Sequence, residues 1–354
     1  MKNYIRSDYK CEKNQHWKYE EYQKWINDGC YVSNIIMKLD LFNNDLTELS
    51  EHIDNLVNLR ELFCNGNKLI KLPDTIGNLI ELRLLCCSDN ELIKLPETIG
   101  NLIKLEALFC WSNKLIELPK VIGNLTKLTS IQCNANQITK LPKTLSNLIN
   151  LSHLNCYNNK LTKLPKSIGN LINLYKIHCG NNKLTQLPET IGELINLRIL
   201  YCNNNQLKEF PKSIFNLNLE HLDLHDNQII KLPISIIKWN ASMIQLDHKV
   251  QISKFLQRFL NRTKEKINYI NCICYFNINV NANVYNNSIQ TSLLDSINNL
   301  LSENITKDID LIDDNILDNK SKSILYNFIE DKTQSYLLIN FEELLIYILE
   351  KIDN

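Results

Sequence analysis

One asparagine recurs through this chain at a fixed interval: Asn44, Asn67, Asn90, Asn113, Asn136, Asn159, Asn182, Asn205 and Asn227. The spacing is 23 residues and slips once, to 22, at the last step. A period of this length means that the chain repeats one small structural unit, and no unit of that size buries its own apolar face. Nine copies must therefore stack and share a core.

The pattern within a unit gives its local structure. In Leu108-Phe109-Cys110-Trp111 the alternation has period two, so Leu108 and Cys110 point one way while Phe109 and Trp111 point the other. That is a short strand, and stacking such strands at ~4.8 Å makes a parallel sheet. All eight prolines (Pro73, Pro96, Pro119, Pro142, Pro165, Pro188, Pro211 and Pro233) take one slot of the repeat. A residue without an N–H cannot donate to a sheet ladder, so the slot belongs to the return connection on the convex side. Ile99, Leu102 and Leu105 then recur at helical or 3₁₀ spacing and turn back to the core. Gly77, Gly100, Gly123, Gly169 and Gly192 share a slot four residues after the proline, where a tight bend or close packing between turns is expected. Ser146 and Phe215 break that rule.

The unit L-x-x-L-x-[C/L]-x-x-N-x-L, as in Leu105, Leu108, Cys110, Asn113 and Leu115, followed by L-P-x-x-I-G-N-L, resembles the leucine-rich repeat family. It is similar to the 23-residue class of intracellular scaffolds that bind Ras-like GTPases or phosphatases. The cysteine-for-leucine spelling and the heavy use of Asn, Ile and Lys look like members from giant DNA viruses of protists. The resemblance covers residues 36–240 and implies an α/β leucine-rich repeat solenoid, with a curved parallel sheet on its concave face and short helical or 3₁₀ segments on the convex one. Residues 1–35 form an N-terminal helical cap in this reading and residues 241–354 a smaller, mainly helical module.

The asparagines Asn67, Asn90, Asn113, Asn136, Asn159, Asn182 and Asn205 are expected to form a structural ladder, because an amide carries donors and an acceptor for turn backbone in the units on either side. Cys64, Cys87, Cys110, Cys133, Cys156, Cys179 and Cys202 take a core position, where cysteine acts as a small hydrophobe. In-register side chains lie in a line, which suits neither four-ligand zinc nor the torsion of a disulfide. Cys86 takes a concave position and is expected to be the most accessible repeat thiol.

The alternate strand positions, four and two residues before each asparagine, must line the concave face. Among them Phe63, Phe109, Trp111, Tyr157, His178 and Tyr201 are the expected contacts to a protein partner, since interfaces favour aromatic anchors among neutral polar groups. Cross-strand stacking is the competing explanation for aromatic residues there. Lys68, Glu91, Lys114, Gln137, Lys160, Lys183, Gln206 and Gln228 follow their asparagines and give one rim a mildly basic character, most simply a solvated edge. His221, Asp223 and His225 alternate on one strand in a way that could suit a metal, but solvated polar side chains are the preferred reading.

At the start, residues 14–28 fit an amphipathic helix with Trp17, Tyr22, Trp25 and Ile26 on its apolar face and Gly29 as its stop. Past Trp239 the period ends. Residues 247–267 read as a basic amphipathic helix, Cys272 and Cys274 lie in a strand-like run, and three further helical segments follow.

Lys+Arg and Asp+Glu each number 39, so no global field attracts nucleic acid or an anionic membrane. No run of ~18 apolar residues suggests membrane insertion, and the polar start lacks a secretory signal's apolar region. Twelve cysteines without a secretory leader point to free thiols in the cytoplasm or another reducing compartment. Phosphate-loop, zinc-protease, serine-hydrolase and kinase signatures do not occur. The expectation is a non-enzymatic, cofactor-free interaction scaffold. The alternative is the substrate-recognition part of a ubiquitin ligase or host-directed effector with its activity in residues 241–354.

Overall fold

The computed structural model describes residues 15–230 and the backbone of the strand Met243–Gln245. Those residues form one open parallel sheet whose strands follow chain order from first to last. The strands are β1 (His16–Trp17), β2 (Lys38–Asp40), β3 (Glu61–Phe63), β4 (Leu84–Cys86), β5 (Ala107–Phe109) and β6 (Ser130–Gln132). They continue through β7 (His153–Asn155), β8 (Lys176–His178), β9 (Ile199–Tyr201), β10 (His221–Asp223) and β11 (Met243–Gln245). Register is constant: Ala107, Leu108 and Phe109 face Ser130, Ile131 and Gln132, and each later pair repeats the alignment. Nine strands, β2 to β10, correspond to the nine repeats; β1 and β11 extend the sheet by one strand at each end.

Each three-residue strand is too short to stand alone, and its hydrogen bonding runs on into the loop that follows. The amides of Cys110, Ser112 and Asn113 donate to the carbonyls of Gln132, Asn134 and Ala135 in the next unit at 2.8, 2.9 and 3.2 Å. The chain therefore keeps its backbone satisfied through the turn. That turn uses a left-handed residue immediately before the asparagine, with φ near +50° at Asp89, Ser112, Ala135, Asn158, Asn181 and Asn204. Asp, Asn and Gly tolerate this conformation, and Gly66 fills the slot at φ +70°. Ala135 departs from these residue types.

On the return stroke, seven five-residue 3₁₀ turns, from Asp74–Asn78 to Lys212–Asn216, each follow a proline in extended conformation. The proline carbonyl accepts the first turn bond, as from Ile76 N to Pro73 O at 3.1 Å. The glycine slot serves close packing and not a bend: a Cβ on Gly100 would lie 2.6 Å from Val121 Cβ, and one on Gly123 would run into the Thr144 backbone. None of the five glycines needs a left-handed φ.

The core lies between sheet and turns. One unit contributes Leu85, Cys87, Leu92, Leu95, Ile99, Leu102 and Leu105, none more than 3% exposed. Each such side chain gains roughly 1.5–3 kcal/mol of gross burial, but only because the adjacent units cover it. At the N-terminal end the helix α1 (Tyr19–Asn27) covers that core with Tyr22 and Trp25, each 1% exposed, while Trp17 and Ile26 pack alongside. Tyr22 accepts from Ser50 N at 2.8 Å and Trp25 donates to Tyr31 O at 2.7 Å, so both buried polar tips are satisfied. Gly29 at φ +89° follows the helix C-terminus. The expectations for residues 247–267, for Cys272 and Cys274 and for the segments beyond lie outside the described residues.

Candidate functional site: the open face of the sheet

The asparagine ladder sets the geometry on which the open face depends. Asn113 Nδ2 reaches Cys110 O and Trp111 O in its own turn, both at 3.2 Å, and Cys87 O in the preceding unit at 3.0 Å. Its Oδ1 accepts from Leu92 N at 2.9 Å. Asn67, Asn90, Asn136, Asn159, Asn182 and Asn205 repeat this set. The side chain serves its own unit and the one before it, where service to both neighbours was expected. Between these anchors the cysteines Cys64, Cys87, Cys110, Cys133, Cys156, Cys179 and Cys202 are wholly buried free thiols. Burial raises the thiol pKa of the first five, to about 12 at Cys133, and keeps them protonated.

With the middle residue of each strand in the core, the first and third face outward, and register aligns them in two rows. Phe63, Cys86, Phe109, Gln132, Asn155, His178, Tyr201 and Asp223 make the third-position row. Leu84, Ala107, Ser130, His153, Lys176, Ile199 and His221 make the first-position row. The rule of four and two residues before each asparagine leaves this second row out, although stepping the same period of two back by one place reaches it.

The expected contacts fall into two clusters. On β3 to β5, Phe63 and Phe109 pack on a small apolar cluster of Leu84, Cys86 and Ala107. Cys86 is therefore buried, at 7% exposure, and burial raises its thiol pKa. This corrects the expectation of an accessible thiol: the aromatic rings on either side cover it. Lys38 Nζ sits 4.7 Å over the Phe63 ring. Trp111 stands two residues beyond Phe109 at the loop edge and is half-buried.

On β7 to β9, His178 lies between two phenol rings, 4.7 Å from Tyr157 and 5.2 Å edge-on to Tyr201. That desolvation, with Lys176 second, lowers the imidazole pKa to about 4, so the ring is neutral at physiological pH. Lys176 Nζ in turn lies 5.2 Å over Tyr201. On β10, His225 Nδ1 meets Asp223 Oδ1 at 2.6 Å. No group of three or more potential metal ligands occurs among the described residues.

Between the clusters the face turns small and polar, with Ser130, Gln132, Asn134 and Asn155. Ser130 Oγ and Asn134 Oδ1 are buried there without a hydrogen-bond partner, an unusual condition for native polar atoms. Tyr157, His178 and Tyr201 thus form one contact group and Phe63 and Phe109 another, with Trp111 at the edge of the second. Two of the four rim lysines are ion-paired, Lys68 with Asp45 at 2.8 Å and Lys114 with Glu91 at 3.0 Å, while Lys160 bonds the neutral amide of Gln137 at 2.9 Å and keeps its charge.

Family models match the same stretch of chain. A leucine-rich repeat region model covers residues 36–156, and a single leucine-rich repeat model covers 150–171, 196–217 and 218–239. The solenoid belongs to the leucine-rich repeat family. No curated protein matches the chain significantly. Among solved structures, the leucine-rich repeat solenoid is similar to a plant peptide hormone receptor, RGFR1 in complex with RGF2. The two are 30% identical with a TM-score of 0.56, over 60% of this chain and 36% of that one. A TDR receptor matches at 26% identity and the same TM-score, over 60% of this chain and 39% of its own. The internalin InlF of Listeria monocytogenes shares the fold at 23% identity and a TM-score of 0.52, over 64% of this chain and 71% of its own. The match spans well under half the length of the two receptor chains. No helix among the described residues is long and apolar enough to cross a membrane.

Proposed function

We propose that this leucine-rich repeat protein is a non-enzymatic scaffold that binds a protein partner across the open face of its sheet. The observation that carries the reading is the pair of aromatic clusters, Phe63–Phe109 and Tyr157–His178–Tyr201, held half-buried on a surface that the fold itself does not need to cover. Rigid aromatic side chains of this kind dominate binding energy at protein interfaces because they bring large apolar area at little entropic cost. A neutral His178 adds a donor or acceptor without a charge to desolvate. The similarity to a receptor solved in complex with RGF2 supports a polypeptide ligand over a small molecule.

The repeat spelling makes a Ras-like GTPase or a phosphatase the first partner class to test. The cysteines among the described residues are all free, which fits a reducing, intracellular compartment. The reading calls on no cofactor or metal, and the balanced charge supports neither nucleic-acid binding nor insertion into a membrane.

The test is affinity capture with the whole chain, followed by titration of the purified partner against Phe109→Ala/Trp111→Ala and Tyr157→Ala/Tyr201→Ala variants. At least one pair is expected to weaken binding more than about tenfold, the effect of losing one interface anchor. Unchanged affinity in both, with melting temperatures intact, would move the interaction off this face.

A further inference from the structure

A second surface feature is independent of the open face. In the segment that rises from each 3₁₀ turn to the next strand, the same slot holds Val57, Ile80, Ile103, Thr126, Ile149, Ile172 and Ile195. The six aliphatic side chains are between 40% and 65% exposed. Because they recur every 23 residues they form one stripe across seven consecutive units. Scattered exposed apolar residues need no explanation, whereas an aligned row of them on a folded surface does.

The borders of the stripe are polar: the strand-side row runs Asn58, Glu81, Lys104, Lys127, Asn150, Asn173 and Asn196, and the turn-side row is asparagine up to Asn170 and then Glu193. Asn78, Asn101, Asn124, Asn147 and Asn170 end the turns on one side. On the other, Asn150, Asn173 and Asn196 donate to the carbonyls of Thr126, Ile149 and Ile172 at 2.8, 2.8 and 2.9 Å, which fixes the backbone beneath the stripe. The charges of Glu81 and Lys104 meet each other at 2.6 Å. An apolar centre inside a polar rim is the anatomy of a protein interface.

We infer that this stripe is a self-association surface whose occupant is the same stripe on a second copy of the chain. Two-fold pairing requires a patch that complements itself. This one does so with the copies antiparallel or parallel. Antiparallel, the sequence of side chains is symmetric about Thr126, so Ile103 meets Ile149, Ile80 meets Ile172 and Val57 meets Ile195. Parallel, each side chain meets its own copy. Thr126 lies opposite Thr126 in both. A stable interface takes about 800 Å² and roughly 20–30 residues a side. The stripe with its two bordering rows brings about three residues from each of seven units, which reaches that range.

The experiment is sedimentation velocity on the whole chain across micromolar concentrations, with the variant Ile103→Glu/Ile149→Glu alongside. Wild type is expected at twice the 41.3 kDa chain mass and the variant at one chain mass, with matching far-ultraviolet circular dichroism. A wild-type monomer at every concentration overturns the inference, as does a dimer that survives both substitutions. Should the double variant fail to fold, Thr126→Cys decides: under mild oxidation it is expected to form a reducible covalent dimer that the wild type does not form. Absence of that cross-link sinks the proposal. Ile80→Cys cross-links only in the parallel arrangement and so reports the orientation.

Discussion

The two faces of the sheet are made from the same three-residue strands, yet they follow opposite rules. On the core face a leucine or isoleucine returns in every unit: Leu62, Leu85, Leu108, Ile131, Leu154, Ile177 and Leu200 are all at most 1% exposed. On the open face the type changes from each unit to the next, and Phe63, Cys86, Phe109, Gln132, Asn155, His178 and Tyr201 stand in line. Stacking imposes one shape on the core, because each unit must fit both its neighbours. The open face carries no such demand and is free to vary. In a repeat protein the consensus therefore marks the scaffold, and departures from it mark where a surface has been shaped for something else.

The comparison predicts that adjacent residues differ sharply in their contribution to stability. Leu108→Ala should cost about 2–5 kcal/mol, as for any fully buried leucine, while Phe109→Ala should cost no more than about 1–2 kcal/mol because its ring is only half covered. Chemical denaturation of both variants checks this. Equal losses would mean that the open-face cluster is a second core.

Gly123→Ala probes the unit-to-unit contact behind the sheet. The added methyl meets the Thr144 backbone, which cannot swing aside, so about 1–3 kcal/mol should be lost. Gly29→Ala, with open space around its Cβ, isolates the separate cost of a left-handed φ.

Ala135→Gly runs in the opposite direction. Ala135 holds φ +53° in a slot that the neighbouring units give to Ser112 and Asn158, and relief of that strain should raise stability by up to about 1 kcal/mol. A drop in melting temperature would show that the lost methyl or the added chain freedom outweighs the strain.

The last effect concerns protons and shows only below pH 6.5. The folded state lowers the His178 pKa from 6.5 to about 4, so it favours the neutral ring, and the unfolded chain takes up a proton first as pH falls. The stability held above pH 6.5 should decline from there toward pH 4. His153 and His16, also shifted down by burial, add to the same slope. Melting temperatures of His178→Asn across that window should fall less steeply than those of wild type; an identical slope would place His178 in a more solvated environment.

Much of the scaffold was legible beforehand. The 23-residue period, Pro96 and its equivalents, and the alternation around Leu108 specify strand, return turn and core face from chemistry local to each unit. The left-handed slot at Asp89, Asn158 and Asn181 was not read beforehand, although Asp and Asn are the residue types that tolerate it. Cys86 was misjudged because exposure depends on which rings flank it across β3 and β5, and strand alternation says nothing of that. The rim was read as mildly basic from its residue types; that Lys68 pairs with Asp45 and Lys114 with Glu91 depends on contacts one unit away in space and 23 residues away in sequence.

For this protein the sequence alone determined the repeat, its strand-and-turn unit and the set of residues that stacking would bury, since those follow from periodicity and from the geometry of single units. Only the tertiary structure decided that the aromatic residues divide into two clusters, that His178 is held neutral between Tyr157 and Tyr201, and that the aliphatic row from Val57 to Ile195 stays exposed on a common side. Each of these depends on lateral neighbours about 4.8 Å away across the sheet or the turns. Distance along the chain does not measure that proximity; register does.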